Sequence, residues 1–115
     1  MSPSTMTRVR AAARSLWVDQ GGIKIIWSHR QRVGVVGWEQ YPDHVWLKEL
    51  FILPSEQSRG AGSAVTRHIK SIAKERKVAV KLQTLKANKR AKALYERHGF
   101  TVSEETDIHW KMVCL

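Results

Sequence analysis

Cysteine is almost absent from this 115-residue chain, and acidic residues are scarce. The single Cys114 excludes an intrachain disulfide and a cysteine-based metal cluster, and it suits a reducing compartment, the cytoplasm by default. No stretch approaches eighteen apolar residues and no continuous apolar signal segment opens the chain, so neither a membrane span nor secretion is expected. Internal repeats and low-complexity linkers are missing as well. The length suits one domain over 1–115, with a real core and no room for a regulatory module. No histidine stands at metal-ligand spacing with another histidine or a carboxylate, so no metal is expected. Asp and Glu number 10 against 20 Lys and Arg, a formal net charge of +10. Such a surface attracts polyanions.

What is present is a strand, a turn and a helix in one stretch. Leu50-Phe51-Ile52-Leu53 is an apolar run that stops at Pro54, and the chain re-enters a helix through Gln57-Ser58-Arg59-Gly60-Ala61-Gly62-Ser63. A glycine turn at a helix N-terminus leaves several backbone N–H groups pointing one way with the positive end of the helix dipole behind them, which is a phosphate-binding geometry. Each charge–dipole contact contributes about 0.3–1 kcal/mol when exposed, so several N–H groups must act together. Two familiar phosphate loops do not fit. No Lys-Ser or Lys-Thr follows the glycines as the nucleoside-triphosphate loop requires, and Val65 occupies the place where the dinucleotide fingerprint needs a small third residue.

A second segment, from Asn88 to Phe100, reads as a capped helix. Asn88 is a plausible N-cap, Ala91, Leu94 and Tyr95 fall on one face, Gly99 supplies a left-handed C-cap and Phe100 starts the next strand. Gln57, Gly60 and Gly62 match the Gln/Arg-x-x-Gly-x-Gly/Ala pattern of the GNAT N-acetyltransferases. Asn88, Ala91 and Leu94-Tyr95-Glu96 followed by Gly99-Phe100 resemble that family's later motif. The two occur in the family's order and spacing. The resemblance covers about residues 23–115; residues 1–22 match poorly.

Between and around the motifs, hydrophobic patterning predicts a mixed, mostly antiparallel sheet with helices on its faces. A short helix is expected over residues 7–18, with Val9, Ala12, Ala13 and Leu16 on one face, ending before Gly21-Gly22. Strands are expected over Ile23 to Ser28, Val33 to Gln40 and Val45 to Leu53. A helix from Gly60 or Ala61 to about Lys77 buries Val65, Ile69, Ile72 and Ala73, and Val78 to Leu85 alternates as a half-buried strand. Two further strands follow near Phe100 to Ser103 and Ile108 to Val113.

The family resemblance implies an α/β fold in which the strand before the turn and the strand after the helix start adjacent and splay apart, with acetyl-CoA in the wedge. It implies that the backbone of Phe51, Ile52 and Leu53 pairs with the pantetheine amides and that Gln57, Ser58, Arg59, Gly60, Ala61, Gly62 and Ser63 hold the pyrophosphate. Asn88, Ala91 and Tyr95 would line the cofactor's arm, and Tyr95 would act as general acid toward the leaving thiolate. The plain alternative for Tyr95 is a helix-face aromatic with its hydroxyl at the surface. An amine of pKa about 10.4 is nucleophilic in only about one molecule in a few thousand at pH 7, so a base is needed. Glu49, acting through water, is the leading base and Glu39 the runner-up, each against the alternative of a solvated edge charge. His44, His98 and His109 are further candidates, with His98 read as a cationic cap on the helix C-terminus.

The reaction implied is direct transfer of an acetyl group to a primary amine in a ternary complex. The acceptor is not legible: polyamine, aminoglycoside, amino acid, lysine side chain and protein N-terminus all fit. Full-length family members usually carry two helices between their first two strands, and the short front here leaves surface uncovered. Trp17, Trp27, Trp38 and Trp46 suggest apolar area that a second subunit would cover as a homodimer. Arg59, Lys89 and Arg90 suit the CoA phosphates, yet one CoA does not need twenty cations; a solvated basic face and a nucleic-acid or ribosomal surface both account for the rest. A non-catalytic CoA-binding sensor and a basic nucleic-acid-binding module therefore remain as other classes.

Overall fold

A computed structural model describes residues 8–12, 15–20, 23–28 and 30–115, with side chains described from residue 23 onward. The described chain divides into two compact units, one comprising Met1–Trp38 with Glu49–Val65 and the other Glu39–Lys48 with Thr66–Leu115.

In the first unit, strands β1 (Arg8–Ala12), β2 (Ser15–Gln20), β3 (Ile23–Ser28) and the greater part of β4 (Gln31–Gln40) run antiparallel, each beside the next. The helix expected over residues 7–18 is therefore replaced by two strands. Val9, Ala12 and Leu16 fit a helical period, but the whole of β2 finds a partner in β3, from Ser15 opposite Ser28 to Gln20 opposite Ile23. That ladder satisfies backbone groups cooperatively and overrides a weak local preference. Residues 7, 13 and 14 of the expected helix, and Gly21-Gly22 at its end, lie outside the described residues, as does the Trp17 side chain. Ile26, Val33 and Val36 are buried on the inner face, with Ala61, Ala64 and Val65 of the helix start.

The second unit takes its order from the first part of β5 (His44–Ile52), then β6 (Ala79–Leu85), β8 (His109–Cys114) and β7 (Thr101–Glu105). β5 and β6 are parallel; the β6–β8 and β8–β7 pairs are antiparallel. Parallel pairing runs from His44 opposite Ala79 to Leu47 opposite Leu82, while β5 continues to Ile52 and β6 to Leu85. β6 alternates as its sequence predicts, with Val80, Leu82 and Thr84 buried and Lys81, Gln83 and Leu85 exposed. Helix α1 (Ala61–Arg76) buries Val65, Ile69 and Ala73, leaves Ile72 half-buried, and also buries Thr66. Helix α2 (Lys89–Arg97) buries Tyr95. No helix among the described residues is long and apolar enough to cross a membrane.

Both helices end in the same way. His98 caps α2, Gly99 takes φ 87°, its N–H donates to the Glu96 carbonyl and the Phe100 N–H to the Tyr95 carbonyl, at 3.1 and 3.0 Å. This paired closure brings Phe100 against Tyr95, ring centroids 5.6 Å apart. At the end of α1 the left-handed position is held by Lys77, φ 59°, with Lys77 N–H on the Lys74 carbonyl and Val78 N–H on the Ala73 carbonyl.

Candidate functional site

The turn that closes β5 lies wholly within the first unit. Pro54–Glu56 forms one 3-10 turn, Ser58 and Gly60 take left-handed φ values of 65° and 91°, and the intervening Arg59 does not. Such alternation curls successive N–H groups into an anion-binding concavity. The Ala64 N–H donates to the Gly60 carbonyl at 2.9 Å, where the helical ladder starts. A side chain at Gly60 would meet nothing within 4 Å. Its glycine is thus required by the backbone angle and leaves open space over the turn.

Side chains brace the loop from within. Gln57 Nε2 donates to the Ile52 carbonyl at 3.1 Å, which ties the end of β5 across the turn. The Leu53 N–H donates to the Val33 carbonyl at 2.8 Å, while Phe51 turns its carbonyl toward Gly34. Strand alternation therefore puts the Ile52 N–H on the side away from β4. Phe51 and Leu53 are exposed large apolar residues, at 52% and 40%. Arg59 approaches Glu56 at 3.7 Å and otherwise faces solvent.

Glu49 and Glu39 differ sharply in surroundings. A Cβ at Gly37 would lie 3.2 Å from Glu49 Oε1, so the carboxylate rests over the β4 backbone where a side chain is missing. Among the described residues Glu49 makes no ion pair or hydrogen bond. Glu39, in the second unit, accepts from the Tyr41 hydroxyl at 2.9 Å and lies 3.5 Å from Lys48 Nζ; that hydrogen bond raises the Tyr41 pKa. Glu39 is occupied. Gly34 and Gly37 are site features that sequence reasoning missed, although glycine inside a strand pattern signals close approach of another group.

The second unit holds the remaining site residues. Asn88 caps α2, its side-chain oxygen accepting from the Ala91 N–H at 3.0 Å. Tyr95 is 6% exposed, its hydroxyl has no hydrogen-bond partner among the described residues, and burial pushes its pKa up to about 12. It is not a surface hydroxyl. His44, the first residue of β5, has Nδ1 2.7 Å from Asp43 and its ring stacked on Tyr41. His98 is the C-cap of α2 as expected, but burial, and then Lys70, Arg67 and Arg97, hold its pKa below the usual histidine value, which disfavours the cationic form. Trp27, Trp38 and Trp46 are half-buried, with Arg32 and Lys24 over the rings of Trp27 and Trp38.

A parallel strand pair whose partners outrun their pairing, and a strand that ends in a left-handed turn feeding a helix, define an α/β fold with an open turn at a helix start. The chain belongs to the acetyltransferase (GNAT) family, whose model matches residues 5–100, and it is an acetyltransferase. Solved structures share the fold. The ribosomal-protein-S18-alanine N-acetyltransferase from Escherichia coli is 21% identical at a TM-score of 0.69, over 90% of this chain and 70% of that one. Naa50 from Arabidopsis thaliana, in complex with the bisubstrate analogue CoA-Ac-MVNAL, is 16% identical at 0.73, over 81% and 72%. A GNAT acetyltransferase from Elizabethkingia anophelis with acetyl-CoA bound is 11% identical at 0.68, over 80% and 74%. No curated protein sequence matches the chain.

Proposed function

We propose that this acetyltransferase moves the acetyl group of acetyl-CoA to a primary amine by direct attack, with both substrates bound. The observation that carries the reading is the Ser58–Gly60 turn at the start of α1, whose left-handed pair and open space suit a pyrophosphate. The backbone of Phe51, Ile52 and Leu53 would run beside the pantetheine arm, with the Ile52 N–H as the outward donor. Gln57 would hold the loop in shape and Arg59, Ala61, Gly62 and Ser63 would face phosphate. Asn88 and Ala91 would line the arm from α2.

Glu49 would take the ammonium proton through water, which frees the nitrogen lone pair to bond the acetyl carbon. The carbon–sulfur bond then breaks, the sulfur keeps its electron pair, and the nitrogen gives up its second proton to solvent to leave the amide. Tyr95 keeps its proton at neutral pH and donates a hydrogen bond to that sulfur as charge develops. Outright transfer from a group near pKa 12 to a thiolate of pKa about 8.5 is uphill by about 5 kcal/mol, so solvent completes the protonation.

A homodimer in the cytoplasm completes the proposal. Exposed Ile23, Val102 and Ile108 support the self-association, and the lone buried Cys114 the reducing compartment. Thiol release from acetyl-CoA with a panel of a peptide N-terminus, a lysine peptide, a polyamine and an aminoglycoside tests the activity. Release with one acceptor class is the expected result; acetyl-CoA binding without release to any amine would instead favour a CoA-binding sensor. A monomer in sedimentation at micromolar concentration would remove the dimer.

A further inference from the structure

We infer that the second unit carries a separate binding groove for the phosphodiester backbone of a nucleic acid. The groove, of about 750 Å³, runs along the outer face of α1 and beneath the ends of β6 and β8. Arg67, Lys70, Lys74 and Lys77 line it, and no aspartate or glutamate does. Spacings of three and four residues put Arg67, Lys70 and Lys74 on one helical face, and Lys77 follows just past the helix end. Ala73, Val80 and Cys114, all buried, also line it, together with the exposed Leu115.

The cations are unequally engaged. Lys70 Nζ donates to the His98 carbonyl at 2.7 Å, closing one wall. The side chains of Arg67, Lys74 and Lys77 make no hydrogen bond or ion pair among the described residues. By contrast Arg76, on another face of the same helix, is docked on Gln40 Oε1 and the Tyr41 carbonyl at 3.1 and 2.6 Å. Lys77 also occupies a left-handed position where glycine is the unstrained residue, so a cation stands there at a cost in backbone energy.

The occupant follows from charge and shape. A row of like charges in a concavity suits a chain of phosphates, whereas a flat bilayer would need a protruding basic patch. Three of the four cations are lysines, point charges without the planar fork that matches carboxylates, which favours phosphate over an acidic peptide. No aromatic residue lines the groove, so no base is stacked and binding is independent of sequence. Three unengaged cations imply a log–log salt slope near −2, about a 20-fold loss of affinity from roughly 50 to 200 mM salt.

Fluorescence anisotropy with labelled dodecamers of single-stranded RNA and DNA tests the groove. Wild-type protein should bind both, with a Kd on the order of 10⁻⁵ M at low salt and the slope above. The variant R67Q/K74Q/K77G should lose about tenfold in affinity and most of the slope, while R30N/K81Q, which removes the same sign of charge outside the groove, should bind within twofold of wild type. Lys77→Gly alone should raise the unfolding midpoint and still weaken binding, which separates lost contact from lost fold. Thermal shift by acetyl-CoA in each variant reports the other site independently, since none of these residues belongs to it. Equal losses in both multiple variants, unchanged binding in the groove variant, or binding only to an acidic peptide or to anionic vesicles would overturn the inference.

Discussion

At the scale of single residues, burial and missing partners separate the candidates. Tyr95 is buried with an unpartnered hydroxyl, so removing that hydroxyl takes away a cost and no bond. Tyr95→Phe should leave the melting temperature unchanged or higher while lowering kcat by about 10²–10³, the range for loss of one donor to a developing charge. The same hydroxyl makes stability depend on pH. Its pKa is about 12 in the folded protein against an ordinary tyrosine value of 10.0, so between those values the folded chain holds a proton that the unfolded chain releases. Stability is full below pH 10 and falls as pH rises toward 12, by about 1.4 kcal/mol per unit, a slope that urea titrations should show in wild type and not in Tyr95→Phe. Glu49→Gln should lower kcat at pH 7 by about 10²–10⁴ and shift the pH profile to the alkaline side, where the amine loses its own proton. Glu39→Gln, whose carboxylate serves Tyr41 and Lys48, should stay within about twofold. A larger loss for Glu39 than for Glu49 would reverse their assignment.

At the scale of elements, backbone geometry sets which glycines are indispensable. A Cβ at Gly34 would land on the Phe51 carbonyl oxygen, which is backbone and has nowhere to move. Gly34→Ala should destabilise by about 1–3 kcal/mol or more, read as a lower urea midpoint. Gly60 presents the opposite case, with open space around it and a φ of 91°. Gly60→Ala should cost about 1–2 kcal/mol through the backbone alone and weaken acetyl-CoA binding measured by calorimetry. Much of this is legible in the sequence. Asn88 as N-cap and Gly99 as left-handed C-cap are readable because capping is a short-range demand on particular side chains. Ser58 and Lys77 are not, because a left-handed residue without glycine is imposed by what the chain must reach on either side.

At the scale of the whole molecule, ligand binding and folding are linked. Acetyl-CoA at about one hundred times its Kd should stabilise the folded chain by about 2.7 kcal/mol, a rise of several degrees in melting temperature; no rise at saturation would remove the acetyl-donor reading. What the sequence determined by itself is the set of elements from Ile23 onward, the two motif helices, the Asn88 and Gly99 caps and the glycine turn, because periodicity, capping and turn chemistry act over a few neighbouring residues. The tertiary structure alone decided the strands over Arg8–Ala12 and Ser15–Gln20, since their backbone partners are set by sheet pairing rather than by residues beside them. It also decided that Glu39 is occupied while Glu49 rests over Gly37, that the surroundings of His98 lower its pKa and that Tyr95 is buried. Charge, burial and hydrogen-bond partners are properties of neighbours in space, and neighbours in space are assigned only when the chain folds.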